Sequence, residues 1–451
     1  MVVGAGPAGL LCAHVLAAYA DKVTVVERDR LPQTPVSRPG VPHDRHPHVL
    51  LEAGLDALES LLPGTVRELR SVGTPWLGLP TDLLQWQNGG WSSRLPATTG
   101  IHTGSRAQLE WLIRRRVLTH ASVSVVEGEV TGLLGDKGRI NGVTLRRSGV
   151  RGASRMHDVS HIEADLVIDT SGRTSKAPGW LRAIGVEPAG EDVVDTGLAY
   201  ASRLYRSPQG RGPGSAPGCY LIPGPGQPTG ALVLPQECGG YVVALSGVRG
   251  HEPPVDHTAF LAFARQLPHP LVHEWLSTAE PSSPVFGFRH TANARRRYEN
   301  SQVPAGFLAV GDALCTFNPV YGQGVAAAAL AAVALRDTLR GAEGRLDHQR
   351  IRRALARVYE QPWAISAGAD KQMPGAVGNA AAPNAAERFL GLYLRRIQRR
   401  AAHDPQIGRV FRSVLALTKP LYSLLAPPML LAALRPEPAL LAEPPSAPRQ
   451  P

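Results

Sequence analysis

The sequence predicts an α/β fold: a discontinuous unit assembled from separated segments, an inserted β-sheet region, and a C-terminal helical region. Three observations predict it. Residues 1–27 read strand, glycine turn, helix, strand around Gly4-Ala5-Gly6-Pro7-Ala8-Gly9. Far downstream, residues 306–330 read as a buried strand, a Gly311-Asp312 turn and a glycine-led, Ala-rich helix. Between them lie short alternating apolar segments with scattered tryptophans, the pattern of strands rather than helices. With 451 residues, the chain is long enough for two domains or one discontinuous fold with an insert. The expected division is 1–75, 104–180 and 300–345 for the discontinuous unit, 76–103 and 181–299 for the inserted unit, and 346–451 for the helical region.

At the N-terminus, Met1–Val3 closes a strand, Leu10–Ala20 is an apolar helix, and Lys22–Glu27 is a second strand. The glycines make a sharp turn, let a pyrophosphate approach the backbone, and let helix and strand pack closely. Glu27 ends the second strand, where an acid binds ribose hydroxyls. Strand, turn, helix and acid together make a Rossmann-like, dinucleotide-binding start. Three residues precede Gly4, fewer than the usual strand of about five, so the true start is expected upstream or the first strand is clipped.

Residues 28–50 read as a loop. His43, His46 and His48 have no acidic or cysteine ligand set beyond Asp44 and are crowded by proline, so a phosphate- or flavin-facing loop is favoured over a metal site. Residues 49–72 read as an amphipathic helix broken at Pro63-Gly64. Residues 76–103, with Trp76, Trp86 and Trp91, read as a strand pair. Residues 104–118 form a helix with Ser105 as N-cap and Leu109, Leu112 and Ile113 toward the core. Arg106 in its first turn opposes the helix dipole, which suits an anionic neighbour; a solvated arginine is the plain alternative. Strands follow at Ser122–Val126 and Arg139–Arg147, with Val130 just after the first. Residues 164–175 are a buried strand entering Ser171-Gly172-Arg173. The second block has strands at Leu198–Tyr205 and Tyr241–Leu245, a Gly/Pro-rich loop at 207–230, and helices at 256–267 and 270–279. Residues 331–365 read as helix and 373–383 as a breaker. The apolar segment 421–434 is split by Pro427-Pro428 and too short to span a bilayer. Docking on the core is favoured over an interfacial anchor, and the Pro/Ala tail beyond it reads as disordered.

The 306–330 stretch concentrates the chemistry. Asp312 ends a strand, where open α/β sheets bind ligands, and its carboxylate suits a ribityl or ribose hydroxyl. Pro319 lies in the following loop. Gly322 and Gly324 allow backbone N–H groups to approach a flat ligand at a helix start, where the dipole favours negative charge such as that at N1 and the C2 oxygen of reduced flavin. Taken alone, the stretch equally describes a buried strand, a turn and a core helix.

The formal charge is +11 and almost wholly arginine: the lysines number five. Short clusters at 114–116, 295–297 and 399–400 make no basic stripe with interleaved aromatics, which argues against nucleic acid but allows an anionic lipid surface. Cys12, Cys219, Cys238 and Cys315 lack metal-ligand spacing. Cys12 and Cys315 read as buried thiols, and a reducing cytoplasm is expected. There is no signal-peptide pattern and no run of about 20 apolar residues to span a membrane.

GxGxxG, Glu27-Arg28, SRAQLE with Arg106, and GDALCTFNPVYGQG occur in one order that resembles the flavoprotein monooxygenases of the p-hydroxybenzoate hydroxylase and squalene epoxidase fold, over roughly residues 1–345. The stretches RPGVPHDRHPHVLLEAG, EADLVIDTSGRTS, EDVVDTGLAYASRLYR and SPVFGFRHTANARRRYE are similar to actinobacterial polyether epoxidases. The resemblance implies a discontinuous FAD-binding domain, FAD as cofactor, and insertion of one oxygen from O2 through a flavin C4a-hydroperoxide, with epoxidation of an apolar polyketide or terpenoid alkene in secondary metabolism. It assigns Gly4, Gly6 and Gly9 to the FAD pyrophosphate, Glu27 with its neighbour Arg28 to the adenosine ribose, Arg106 to the phosphate region, Val130 to the adenine, Gly311 and Asp312 to the ribityl chain, and Val325 to the isoalloxazine edge. The aromatic hydroxylases have an Asp-Gly pair where Ser171-Gly172-Arg173 stands here. That departure implies electrons from NAD(P)H through a separate flavin reductase. No WxWxIP halogenase segment is present. No catalytic acid, base or nucleophile and no metal is nominated. The alternatives are an aromatic or indole hydroxylase, a geranylgeranyl-type prenyl reductase, and a non-catalytic flavin-binding protein.

Overall fold

A computed structural model describes residues 1–146, 159–208, 210–342 and 346–446. Its centre is a five-stranded parallel sheet in the order Phe307–Ala309, Val167–Asp169, Val2–Val3, Val23–Glu27, Val123–Glu127. Val2 lies beside both Val25 and Ile168, and Ile168 beside Leu308, so the first residues of the chain are flanked by segments remote in sequence. Each residue of the four strands other than Val123–Glu127 is buried. Parallel strands covered on both faces need continuous apolar runs. The helix Gly324–Arg340 packs on Pro7–Leu16, Glu52–Leu61 and His348–Asp370, and Pro7–Leu16 also packs on Arg106–Val117. The run of alanines at 326–329, all buried, permits that close helix approach.

Several elements differ from the sequence reading. The first helix starts at Pro7, a residue pre-set for a first turn, and ends at Leu16. Val49–Leu51 is not helix but a strand, because it pairs with Thr99–Thr103, which also pairs with Trp76–Leu79. Val130 belongs to the unexpected strand Glu129–Gly135, the edge of a meander with Ile140–Arg146 and Val159–Glu163. Arg147, the expected end of the middle strand, lies outside the described residues. The Gly/Pro-rich stretch 207–230 contains the strand Gly218–Leu221 and the start of Thr229–Pro235. The helix expected from about Tyr321 starts at Gly324, since Gly322 has φ +65° and Pro319–Tyr321 is a separate 3-10 turn capped by Asn318. The single helix expected over 331–365 is two: one ends at Arg340, and the next, His348–Asp370, begins where Asp347 accepts Arg350 N–H at 3.0 Å. The tail is tied to the larger sheet at one point, where Trp91 N–H donates to the Leu441 carbonyl at 2.9 Å; residues 447–451 lie outside the described ones.

The larger sheet runs Glu280–Pro281, Ala199–Arg206, Gly240–Gly247, Thr229–Pro235, Gly218–Leu221, Leu83–Gln87, Gly90–Trp91, with Phe286–Phe288 also on Ala199–Arg206. Its alternation sorts two faces. Leu84, Cys219, Val233, Val243 and Leu245 pack with Phe260 and Val272 of the helices His257–Arg265 and Leu271–Leu276. Leu83, Leu234 and Val242 face the other way, toward Ala326 and Ile101. Period-two side chains thus give this sheet one sealed core and one face turned to the nucleotide unit. Helices Ala385–Ala401, Pro405–Leu415 and Pro427–Leu434 close around Ile397, Val414, Leu424 and Met429. The first of them has a capping box, Asn384 with Glu387.

Candidate flavin site and substrate cavity

The glycine turn is shaped for a ligand and for its own helix. Gly4 has φ +100°, a conformation costly for any residue with a Cβ. A methyl on Gly9 would overlap the Gly4 carbonyl oxygen and stand 2.6 Å from Thr170 Oγ1, whereas one on Gly6 would meet nothing within 4 Å. Gly9 therefore serves helix packing, and Gly6 leaves open space. Glu27 Oε2 accepts Ala5 N–H at 2.8 Å and Oε1 accepts Asp29 N–H at 3.0 Å, tying the acid to the turn.

Ala5 and Gly9 form the buried back of the turn. The other residues nominated from the sequence all line one cavity of about 1760 Å³: Gly4, Gly6, Pro7 and Ala8, then Glu27 and Arg28, Arg106, Val130, Gly311 and Asp312, and finally Pro319, Gly322, Gly324 and Val325. That exceeds the usual 300–1,000 Å³ of a small-ligand pocket and suits a dinucleotide together with a second molecule. Arg28 is exposed and donates to the Gly40 carbonyl at 3.4 Å. Val130 keeps its side chain in the core.

An ion cluster that the sequence did not disclose backs the nucleotide end. Arg38 is buried and bonds Glu110 Oε1 at 2.7 Å and Asp29 Oδ2 at 2.9 Å, with Glu27 Oε2 at 3.2 Å. Glu110 also stands 3.6 Å from the Arg106 Nε, which makes no hydrogen bond although buried. Burial lowers the Arg106 pKa, against the pull of Glu110 and Asp312. Burial likewise holds the Asp312 carboxyl above its ordinary value, opposed by Arg173 and Arg106. Arg173 donates to the carbonyls of Ala292 at 2.6 Å and Phe317 at 3.1 Å. Asp169 accepts Ser171 N–H at 2.9 Å and its hydroxyl at 2.6 Å, setting the turn that carries Arg173.

The loop before the Gly324 helix is held by a buried carboxylate. Asp370 Oδ2 accepts from Asn293 Nδ2 at 2.7 Å and Asn318 Nδ2 at 2.9 Å, and Oδ1 accepts from the Tyr321 hydroxyl at 2.7 Å. Asn293 Oδ1 accepts Asn318 N–H at 2.8 Å. Burial raises the Asp370 carboxyl to about 6. Gly311 N–H donates to the Tyr359 hydroxyl at 2.8 Å. These partners come from separate elements, so no local motif announced them.

Facing this loop is an aromatic wall. The Tyr200 and Phe288 rings stack at 5.3 Å, and His46 meets Tyr200 edge-on at 4.8 Å. His46 Nδ1 pairs with Ser202 Oγ at 2.8 Å and its Nε2 has no partner. His48 Nε2 donates to the His43 carbonyl at 3.0 Å. Burial pushes His46 down to about 4 and His48 to about 3, and lowers His43 well below the ordinary value, so all three imidazoles are neutral near pH 7. Among the described residues, no three His, Cys, Asp or Glu side chains are grouped as metal ligands.

FAD fits these residues. The open side of Gly6 admits a pyrophosphate, Arg106 lines the cavity as a cation for an anionic ligand, and Asp312 is recessed where a ribityl hydroxyl donates. A family model described as an NAD(P)-binding Rossmann-like domain matches residues 2–62. The chain is 33% identical over 383 residues to Protein Rv3254 of Mycobacterium tuberculosis, covering 82% of this chain and 79% of that protein. The chain belongs to the family of that protein. In architecture it is similar to the flavin-dependent brominase Bmp2, with TM-score 0.66, 14% identity and 92% of each chain covered. It is also similar to p-nitrophenol 4-monooxygenase PnpA from Pseudomonas putida, with TM-score 0.63, 15% identity, and 92% of this chain and 97% of that one covered. The chain thus has the α/β fold of these flavin-dependent enzymes, with a Rossmann-like unit, further sheets and C-terminal helices. No described helix is long and apolar enough to cross a membrane.

Proposed function

We infer that this chain is an FAD-dependent monooxygenase that transfers one oxygen atom of O2 to an apolar alkene, with a polyketide or terpenoid as the substrate class. The observation that carries this reading is the continuity of one cavity, from the glycine turn past Asp312 to the apolar face of the larger sheet at Leu83, Leu232 and Leu234. FAD, when bound, supplies the activation of O2 and an electrophilic oxygen. The chain's own residues do the rest. Gly4, Gly6 and Arg106 hold the pyrophosphate, Glu27 the ribose, and Asp312 the ribityl chain. The start of the Gly324 helix favours the negative charge of the reduced ring. The Tyr200–Phe288 wall and the leucines exclude water and seat the apolar substrate.

Residues 1–75, 104–180 and 300–345 form the FAD unit in this reading, 76–103 and 181–299 the substrate unit, and 346–451 a helical region closing the cavity. The turn Ser171-Gly172-Arg173 takes the place of the Asp-Gly pair of the aromatic hydroxylases, which supports reduction by a separate NAD(P)H-dependent flavin reductase, in the cytoplasm. A second reading, an aromatic hydroxylase, is favoured by one observation: the Nε2 of neutral His46, buried and without a hydrogen bond, lies on the cavity wall as an acceptor for a phenol hydroxyl.

The test is to load the protein with FAD, reduce it chemically or with NADPH alone, and supply isotopically labelled O2 with a panel of apolar alkenes and phenols. Label in an epoxide only after chemical reduction supports the epoxidase reading. Label in phenolic products, lost in His46→Ala, transfers the assignment to a hydroxylase. Failure to bind FAD removes the basis of both.

A further inference from the structure

Among the described residues, large exposed apolar side chains are unevenly spread. Eight are scattered over residues 1–384, whereas ten fall within 385–440. Phe389 is 75% exposed, Tyr422 74%, Leu431 60% and Leu434 78%.

These residues form one neighbourhood. In the helix Ala385–Ala401, Phe389, Leu392, Tyr393 and Arg396 share a stripe at three- and four-residue spacing. The Tyr393 hydroxyl donates to the Leu424 carbonyl, and Arg396 donates to the Ala433 carbonyl at 3.4 Å, so this stripe abuts both Leu421–Leu425 and Pro427–Leu434. In Pro427–Leu434, Met429, Ala432 and Ala433 are buried, while Leu430, Leu431 and Leu434 point out. The neighbourhood is also strongly basic. Residues 385–435 hold nine Arg and Lys against two acids, Glu387 and Asp404, a net charge of 9 − 2 = +7 out of the chain's +11. Lys419 and Arg435 flank the apolar segment and are exposed. Another side of the same helix, at Leu390, Gly391, Leu394 and Gln398, lines the cavity.

We propose that this face is a docking surface for an anionic lipid bilayer, on which Phe389, Tyr422, Leu431 and Leu434 enter the acyl boundary and the surrounding Arg and Lys meet lipid phosphates. The segment Leu421–Leu434 is then an interfacial anchor on its outer side and a docked element on its inner side. Aliphatic side chains beside a net positive charge match a bilayer, which offers apolar and anionic layers a few ångströms apart. One helix separates this face from the cavity, so an apolar substrate would enter from lipid rather than from water. That consequence rests on the monooxygenase reading; the lipid binding does not, because it needs no flavin.

The experiment is co-sedimentation of the full chain with vesicles of phosphatidylcholine alone and of phosphatidylcholine with phosphatidylglycerol, at low and high salt, with its mass in vesicle-free solution measured alongside. Binding to the anionic vesicles, weakened by salt, is expected. Both Leu431→Asp/Leu434→Asp and Lys419→Ser/Arg435→Ser should weaken it by about tenfold or more, since burial of apolar area and attraction by basic residues both contribute. All four positions are exposed, so unchanged thermal melting shows that folding is kept. Absence of vesicle binding, or binding indifferent to both variants, overturns the proposal. A stable dimer that Leu431→Asp/Leu434→Asp dissolves assigns the face to a second copy of the chain and overturns it as well.

Discussion

Asp370→Asn should abolish a specific pH dependence of stability. The carboxylate is 2% exposed and accepts three hydrogen bonds, from Asn293, Asn318 and Tyr321. Burial, with a small push in the same direction from the charge of Asp195, lifts its pKa from 3.8 to about 6 against the three hydrogen-bond donors. The folded protein therefore holds this proton more tightly than the unfolded chain. The stabilisation is fully present below pH ~4 and is lost as pH rises through ~6, which at about 1.4 kcal/mol per tenfold change amounts to roughly 3 kcal/mol. Asparagine has the same shape: its oxygen takes the two amide donors and its NH2 group donates to the Tyr321 oxygen, so the loop keeps its shape while the titration disappears. The assay is urea unfolding of flavin-free wild type and variant between pH 4.5 and 8. The stability difference should move by most of that amount, with wild type relatively stronger at low pH. A difference that stays flat within about 0.5 kcal/mol, comparable to the extrapolation error, would falsify the assignment of Asp370 as the group that titrates there.

Gly9→Ala places a methyl against the Gly4 carbonyl and Thr170; helix and turn must separate, with a loss of about 1–3 kcal/mol or more seen as a lowered thermal midpoint even without FAD. Gly322→Ala forces a left-handed alanine into Val49, about 1–2 kcal/mol from the backbone alone; an unchanged melting curve would show that the loop adapts. Arg106→Met removes a guanidinium that lines the cavity; FAD affinity by fluorescence quenching should fall about 10- to 100-fold, the range of a charge-assisted hydrogen bond of roughly 1.5–3 kcal/mol. Glu27→Gln keeps the acceptor for Ala5 but removes the charge facing Arg38. Because one partner of a buried ion cluster is lost, destabilisation of about 3 kcal/mol or more is expected from denaturant titration.

The nucleotide unit was legible because its signals are local. Gly4, Gly6 and Gly9 between strand and helix, Glu27 at the next strand end, and Gly311-Asp312 before Gly322 each follow from backbone needs within a few residues. Accordingly, of the nominated residues only Ala5 and Gly9 stand off the cavity, and those two form the back of the turn. Pairings across the chain were not legible. Val49–Leu51 has a helix-like pattern that strand pairing with Thr99–Thr103 overrides, and Glu129–Gly135 is a strand only because Ile140–Arg146 lies beside it. The Asp370 cluster, the Arg38–Glu110 pair and the Tyr200–Phe288 wall join positions dozens of residues apart, and no spacing rule reaches that far. The sequence by itself determined the glycine turn, the acid at the end of the second strand and the Asp312 turn, because the local geometry at each site admits few residue types. Only the tertiary structure decided what faces them across the cavity, because those contacts arise from how sheets and helices close on one another.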